Sequence, residues 1–524
     1  FTLATPIAVE ALVNTVAFGK YLQPVFVLAI MLLTFLGFAA ALRALVVYVV
    51  EILQRRFFVR VVEDLAYRLP RAQWQSFDNK YGPELANRFF DIVTVQKSLA
   101  MLLIDGLFLV LQAIIGMAVL AWYHPFLLGF DIVLLLMMGF VIFGLGRGAV
   151  GTAVTESKSK YAIGAWLEEL ARHPTAFKMH GGNHFALERA DHLAVNYLEA
   201  RRIHFRVLMR QILFALGLQA IAATTLLGLG GWLVIQGQLT LGQLVAAELI
   251  VTVIVGSFAK LGKHMESFYD LMASVAKLGQ LFDLPIEDHN KLFHLRGGGP
   301  AQVTARDISY SYSAGVKAIS GLTFELRPGR SVALTGPNGS GKSTVIDVLC
   351  GLRKATSGHI ELDGIDIREL RPDSLREHLA VARATEIFEG TIDENVHMNR
   401  PHIGASDVRN ALDMMGLLGD ISKLPDGLNT KLNTGGAPLS QGQAQRLAIA
   451  RAIVGQPRLL LVDGSLDAVA GPNLETLMDR LTDPAAPWTL LIASGREEVI
   501  DRCQDVIALG EPGGTSRQLV AASD

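Results

Sequence analysis

Long apolar runs alternate with two long polar gaps in the first half of the chain. Most of these runs approach or exceed the about 20 residues that a helix needs to cross the hydrocarbon core of a bilayer. They predict spans at Phe1–Phe18, Leu22–Tyr48, Ser98–Tyr123, Pro125–Leu145, Val207–Ile235 and Leu241–Phe258. Because the chain starts at Phe1, the first span is expected to be incomplete. Residues 1–284 are therefore predicted to form a transmembrane domain of about six spans in a lipid bilayer.

The two polar gaps, 51–97 and 147–206, carry most of the basic residues of this half, and the short turns carry almost none. Basic loops stay in the cytosol under the positive-inside rule. Apolar residues recur in the first gap at helical spacing, as in Phe57, Val61 and Leu65. We therefore predict long helices that extend the spans into the cytosol, in a protein of the plasma (inner) membrane. The acids Asp131 and Glu248 fall inside spans and are candidates for lining a cavity.

The pattern changes beyond a linker predicted at 285–302, which contains Pro285 and the cluster Gly297–Pro300. In residues 303–524 short apolar strands alternate with amphipathic helices, as in a soluble α/β domain. The predicted fold class is multi-domain: an all-α transmembrane helical bundle followed by an α/β domain. The composition, 51% hydrophobic and 18% charged, suits such a chain, and a net charge of −2 excludes a global basic field for nucleic acid.

Gly336–Thr344 reads G-P-N-G-S-G-K-S-T and fits the phosphate-binding pattern G-x-x-x-x-G-K-[ST] at every required position. An apolar run precedes it and a helix start follows it, which is the context that the motif needs. Lys342 is predicted to reach the β- and γ-phosphates, and Ser343 to offer its hydroxyl to Mg²⁺. The candidate nucleotide ligands in the loop are Gly336, Asn338, Gly339, Ser340, Gly341, Lys342, Ser343 and Thr344.

Three further stretches accompany the loop in a fixed order. Upstream, Tyr312 is a candidate for stacking on a nucleobase, although alternating tyrosines are also typical of a half-buried strand. Downstream, Leu439–Gln443 reads L-S-Q-G-Q and opens a helix, whose N-terminus favours an anion. The apolar run Arg458–Asp463 then ends in Asp463, a carboxylate placed to hold Mg²⁺.

This order of motifs resembles the nucleotide-binding domain of an ATP-binding cassette (ABC) transporter, and the whole chain resembles an exporter-type half-transporter. The resemblance implies ATP and Mg²⁺ as cofactors and a second half-transporter as partner, with the cassette in the cytoplasm. It implies adenine stacking for Tyr312, phosphate contacts for Gly339–Thr344 and the Mg²⁺ shell for Asp463. It also implies that Ser440, Gly442 and Gln443 serve the ATP held by the partner.

Weaker similarities concern the membrane half. Pro6–Gly19 is similar to the end of the first span in the type I secretion and bacteriocin-export group. Tyr81–Arg88 and His173–His180 resemble the two coupling helices that rest on the cassettes.

Several positions depart from the family pattern. Gly464 stands where the family has a catalytic glutamate, Gly495 stands in place of the switch histidine, and Arg383 replaces the usual glutamine. The segment Asp467–Ala470 and Thr434 also differ from the family. Because Gly464 has no group that orients water, no catalytic residue is assigned. The chain's own site is predicted to bind ATP and hydrolyse it poorly.

A nucleotide site that hydrolyses ATP poorly, in a chain with a preserved L-S-Q-G-Q motif, favours an asymmetric heterodimer in which hydrolysis takes place at a partner-supplied site. A homodimer is the alternative. A second hypothesis for the function is an ATP-gated, non-pumping channel or regulatory ABC protein. The spans argue against a third, a soluble cassette ATPase. The apolar cavity residues fit a lipid, a drug or a peptide equally, so the transported solute stays open.

Overall fold

The computed structural model describes residues 4–18, 22–78, 82–259, 261–289, 293–295, 297–312, 315–383, 386–467, 469, 471–510 and 517–519. Phe1, Gly19, Tyr81 and part of Asp467–Ala470 lie outside these ranges. The chain divides into two units, residues 1–72 with 79–284 and residues 73–78 with 285–524.

The described part of the first unit is helical. Its helices are α1 (Ala4–Phe18), α2 (Leu22–Arg68), α3 (Gly82–Asn87), α4 (Asp91–Met101), α5 (Leu107–Tyr123), α6 (Pro125–Gly139), α7 (Ala149–Arg172), α8 (Pro174–Met179), α9 (Asn183–Ile235), α10 (Leu241–Ala259) and α11 (Leu261–Phe282). The chain turns between α5 and α6 because Pro125 can begin a helix but cannot continue one. The His124 ring caps the new helix by accepting the N–H of Phe126 at 3.2 Å.

Four helical stretches among the described residues are long and apolar enough to cross a membrane: Leu22–Arg71, Leu85–Tyr123, Pro125–Arg172 and Asn183–Ile235. Two shorter apolar helices, Ala4–Val16 and Leu241–Gly256, coincide with the other two predicted spans. Both α2 and α9 run unbroken between apolar and polar sequence, where the sequence predicts helical extensions of the spans. π-Helical turns at Leu102–Gly106 and Phe140–Gly144, which the apolar pattern does not predict, interrupt two of the spans.

The second unit is built on β-sheets. Its strands are β1 (Val303–Ser311), β2 (Lys317–Leu326), β3 (Ser331–Thr335), β4 (Ser357–Leu362), β5 (Ile365–Asp366), β6 (Leu379–Arg383), β7 (Gly390–Thr391), β8 (Lys431–Leu432), β9 (Leu459–Asp463), β10 (Thr489–Ala493), β11 (Asp505–Ala508) and β12 (Arg517–Leu519). The central sheet has the order β12-β11-β3-β10-β9-β6, in which β12 alone among the described strands is antiparallel to its neighbour. A second sheet has the order β2-β1-β4-β5, and β7 pairs with β8.

Helices complete the second unit: α12 (Lys342–Leu349), α13 (Pro372–His378), α14 (Ile392–His397), α15 (Ala405–Met414), α16 (Leu418–Ile421), α17 (Gln441–Ile453), α18 (Pro472–Leu481) and α19 (Glu497–Ile500). One apolar cluster joins β1 and β2 to α12 and the central sheet, and another joins the central strands to α14, α15, α17 and α18. Apolar residues therefore cover both faces of β9 and β10, as parallel strands require. The predicted class, a helical bundle followed by an α/β domain, is confirmed.

A short stretch from the first half of the chain belongs to the second unit. Residues 73–78 contain a 3₁₀ turn, Trp74–Phe77. The Gln73 N–H donates to the Pro285 carbonyl at 2.8 Å, and its side-chain amide donates to the Ile286 carbonyl at 3.3 Å.

The sequence predicts the coupling segments at Tyr81–Arg88 and His173–His180, where the structure has the short helices α3 and α8.

Candidate nucleotide-binding site

The phosphate loop links β3 to α12, as the motif predicts. Gly336, Gly339 and Gly341 have φ values of +148°, +84° and +94°. A Cβ at residue 341 would stand 2.5 Å from the Ala318 carbonyl oxygen, and one at residue 336 would stand 2.8 Å from the Leu509 carbonyl oxygen. Both positions therefore need glycine, because only glycine combines this backbone conformation with so close an approach. Asn338 and Ser340 lie in the same turn.

The loop gathers the groups that bind a phosphate. The Lys342 ammonium donates to the carbonyls of Gly336 at 2.7 Å and Pro337 at 3.0 Å, so it lies across the loop at the start of α12. The Ser343 hydroxyl donates to Asp463 Oδ1 at 2.9 Å. A cation at a helix N-terminus suits a phosphate group, and a hydroxyl beside a carboxylate suits Mg²⁺.

Three strand ends bring the remaining site residues to the same edge of the sheet. In the parallel register Asp463 lies opposite both Arg383 of β6 and Ala493 of β10. Ligands of such sheets bind at the carboxyl ends of the strands. Arg383 Nε lies 3.3 Å from Asp463 Oδ2, and Arg383 Nη2 also donates to Asp347 of α12. The residue that replaces the family's glutamine thus makes ion pairs with two carboxylates.

Tyr312 lies beside the loop. Its hydroxyl shares a hydrogen bond of 2.9 Å with the Thr344 hydroxyl. The Arg353 guanidinium lies 4.9 Å from the centre of the Tyr312 ring, and the Tyr310 ring meets it edge-on at 5.2 Å. These contacts hold the aromatic ring next to the phosphate loop, where the sequence predicts an adenine platform.

Arg353 is the centre of a buried polar cluster that the sequence does not predict. Its side chain is 6% exposed and donates to both oxygens of Asp78, at 2.7 and 2.8 Å. It also donates to Asp347 at 2.9 Å and to the Tyr310 hydroxyl at 3.1 Å. The hydrogen bond to Asp78 raises the pKa of Arg353 well above its ordinary value. Asp78 and Arg353 are 275 positions apart, so no local pattern reveals the pair.

Replacing Arg353 by methionine is expected to destabilise the second unit by about 3 kcal/mol, because it leaves the part-buried Asp78 without its cation and removes one of the two cations that hold Asp347. The measurement is the thermal unfolding of the purified full chain. Arg368→Met is the matched control, since Arg368 pairs with Asp366 while 54% exposed. An exposed pair of this kind contributes about 1 kcal/mol or less. Equal decreases in the unfolding temperature of the two variants would contradict the structural role of Arg353.

The L-S-Q-G-Q motif forms a compact helix start. The Ser440 hydroxyl accepts the N–H of Gln443 at 3.3 Å, and the Gln443 side-chain oxygen accepts the N–H of Ser440 at 2.9 Å. This capping box begins α17, with Gly442 in its first turn. Arg446 anchors the helix by donating to the carbonyls of Met415 and Gly416. Among the described residues, the hydrogen bonds of Ser440 and Gln443 stay within the motif and its surroundings and do not reach the chain's own phosphate loop.

The two glycines that replace family residues have different surroundings. Gly464 follows Asp463 directly and has φ +68°, so any side chain there strains the backbone. A Cβ at this position would lie 3.6 Å from a carboxylate oxygen of Asp467. Gly495 follows β10 closely, and a Cβ there would meet no atom within 4 Å among the described residues.

Comparison with known proteins defines the class. Residues 319–466 match the family model described as "ABC transporter". A solved structure titled as a bacterial Atm1-family ABC exporter with ATP bound superposes with a TM-score of 0.86, covering 99% of this chain and 92% of that one, at 22% identity. Residues 319–466 therefore form an ABC cassette, and the chain has the fold of that exporter structure.

Three curated relatives extend the comparison. The mycobactin import ATP-binding/permease protein IrtB of Mycolicibacterium thermoresistibile is 31% identical over 55% of this chain and 49% of its own length. The ATP-dependent lipid A-core flippase of Neisseria meningitidis is 32% identical over 54% and 46%. The ABC multidrug transporter mdr2 of Aspergillus fumigatus is 29% identical over 88% and 59%. The alignments thus cover about half the length of these relatives. The chain thus combines apolar helices long enough to cross a membrane with an ABC cassette at residues 319–466.

Proposed function

We propose that this chain is the ATP-binding half of a membrane exporter that moves a solute out of the cytoplasm. It lies in the plasma (inner) membrane with its cassette in the cytoplasm, and its own site binds ATP but hydrolyses it poorly. The proposal rests on one observation: among the described residues, the edge of the central sheet has the groups that bind a nucleotide but lacks the carboxylate that hydrolysis needs. Lys342, Ser343 and Asp463 are assembled there, whereas Gly464 brings no carboxylate to the position of the family's glutamate.

Binding and hydrolysis make different demands on the site. The loop glycines, the Lys342 ammonium and the N-terminus of α12 suit the phosphates, and Tyr312 is the proposed adenine contact. Ser343 and Asp463 would hold Mg²⁺, which neutralises charge on the phosphates when bound. Hydrolysis also needs a group that orients water, and loss of general-base catalysis typically costs roughly 10²–10⁴ in rate. The residues present therefore favour ATP retention over turnover.

We propose a second half-transporter as the partner, with a heterodimer favoured over a homodimer. Ser440, Gly442 and Gln443 would contact the ATP held by the partner. Their capping box fixes the start of α17, whose N-terminus favours an anion. A partner with its own glutamate and histidine would then have a complete site. In a homodimer both sites would lack these groups.

Asp467 is the acid that bears most directly on the proposal. Its carboxylate lies near the Cβ position of Gly464, but its side chain comes from the exposed turn that follows β9. We propose that Asp467 does not act as the general base. Asp467→Asn is then expected to leave the residual turnover unchanged. Loss of that turnover would show that this chain supplies its own base.

The test compares the full chain alone with the chain combined with candidate partner halves that carry a glutamate after the strand aspartate. The chain alone is expected to bind ATP with slow phosphate release, and the heterodimer to release phosphate at least about tenfold faster. In sealed vesicles the heterodimer is expected to move solute in an ATP-dependent manner. Rapid turnover by the chain alone would overturn the proposed division of labour.

A further inference from the structure

We propose that Arg383 is a built-in cation of the nucleotide site: it neutralises Asp463, so that this chain binds ATP with little dependence on Mg²⁺. The inference rests on the proposed function, because it presupposes that ATP occupies the phosphate loop. It adds a property that the motifs do not predict, namely which form of the nucleotide the site accepts.

Arg383 lies beside the proposed Mg²⁺ ligand Asp463. It ends β6 directly opposite Asp463 in the parallel register, and a separate antiparallel bridge links Arg383 to Gly464. Its Nε lies 3.3 Å from Asp463 Oδ2, while Asp463 Oδ1 accepts the Ser343 hydroxyl. Both oxygens of the carboxylate that would face Mg²⁺ therefore have a partner from the chain itself, and one of these partners is a cation.

Arg383 is fixed in place by its neighbours. Its side chain is 16% exposed and lies between Asp463 at 14% and Asp347 at 9%. Asp347 is itself held by Arg353. The guanidinium, which is not deprotonated in proteins, is therefore restrained on one side by a second buried ion pair.

Arg383 also has spare hydrogen-bonding capacity. Arg383 Nε is buried and has no hydrogen-bond partner among the described residues, since its approach to Asp463 is an ion pair without good alignment. A buried donor without a hydrogen bond is costly, so an acceptor such as a phosphate oxygen is favoured there. An amide at this position would bring donors but no charge, whereas the guanidinium brings both.

These features change the electrostatics of Mg²⁺-free ATP. In an ordinary site Asp463 would repel the bare triphosphate, and Mg²⁺ would be needed between them. Here Arg383 already offsets the carboxylate charge. The same ion pair lowers the attraction of Asp463 for a divalent ion. The site is therefore expected to bind ATP in the presence of a chelator. Mg²⁺ is expected to raise its ATP affinity less than it would in a site with glutamine at residue 383.

The experiment measures ATP affinity for the purified full chain by titration calorimetry, in excess Mg²⁺ and in excess EDTA. For the native chain the two dissociation constants are expected to agree within about threefold, because the cation is built in. For Arg383→Gln, which restores the family residue, affinity in EDTA is expected to fall at least about tenfold below that in Mg²⁺. Arg383→Lys keeps the charge and is expected to behave like the native chain.

A second measurement uses Mn²⁺ as a spectroscopic probe of the metal position. Electron paramagnetic resonance is expected to show weaker Mn²⁺ binding to the ATP complex of the native chain than to that of Arg383→Gln. A native chain that loses ATP in EDTA overturns the inference without any variant, and so does equal Mg²⁺ dependence in the native chain and Arg383→Gln. Absence of ATP binding under both conditions overturns the proposed function as well. Rapid turnover with Mg²⁺-independent binding would overturn the proposed function alone.

Discussion

Introducing Gly464→Glu together with Gly495→His is expected to raise the ATP turnover of this chain by roughly 10²-fold. The glutamate would stand directly after Asp463, at the end of β9, where its carboxylate can orient a water molecule. The histidine would enter the open space beside Gly495. The backbone at residue 464, with φ +68°, costs the new side chain about 1–2 kcal/mol, which is less than the about 2.7 kcal/mol that a 10²-fold gain represents.

The matched control is Gly464→Ala together with Gly495→His. It carries the same backbone strain and the same histidine but no carboxylate, so its turnover is expected to stay at the native level. Phosphate release by the full chain in lipid nanodiscs measures both variants at saturating ATP. If the glutamate variant is no faster than the alanine control, the missing carboxylate at residue 464 is not the reason for slow hydrolysis.

Replacing Lys342 by alanine is expected to weaken ATP binding by about 10–100-fold. The ammonium lies across the phosphate loop, and charge-assisted hydrogen bonds to phosphate contribute about 1.5–3 kcal/mol. Titration of the full chain with ATP measures the effect. Lys354→Ala removes the same charge from an exposed position that follows α12, and its ATP affinity is expected to match the native value.

Unchanged affinity in Lys342→Ala would show that ATP does not bind at this loop. Equal losses in Lys342→Ala and Lys354→Ala would point instead to a general effect of net charge, which added salt would screen. A loss confined to Lys342→Ala, largely insensitive to salt, is the expected outcome because the ammonium lies within the loop.

The sequence predicts those parts of the molecule that depend on local rules. The turn at Gly336–Thr344 follows from its glycines, the strand β9 from an apolar run, and the spans from their length. The helices that continue the spans into polar sequence follow from apolar spacing. In each case neighbouring residues determine the backbone, so a short window of sequence contains the information.

Contacts between distant residues could not be predicted in this way. Arg383 departs visibly from the family pattern, but its ion pairs with Asp347 and Asp463 depend on how β6, β9 and α12 lie against one another. The pair of Asp78 with Arg353 depends on the return of residues 73–78 to the second unit. The π-helical turns likewise leave no signal in an apolar sequence that suits an ordinary helix.

Five side chains of alternating sign, Asp78, Arg353, Asp347, Arg383 and Asp463, are in contact one after another. Asp78 comes from the stretch between α2 and α3, and Asp463 ends a central strand of the cassette. Substitutions at the two ends are therefore expected to be non-additive, since residues in one ionic network usually show interaction energies of about 0.5–3 kcal/mol. A change in the charge at Asp463 is therefore expected to alter the strength of the ion pair between Arg353 and Asp78, at the other end of the network.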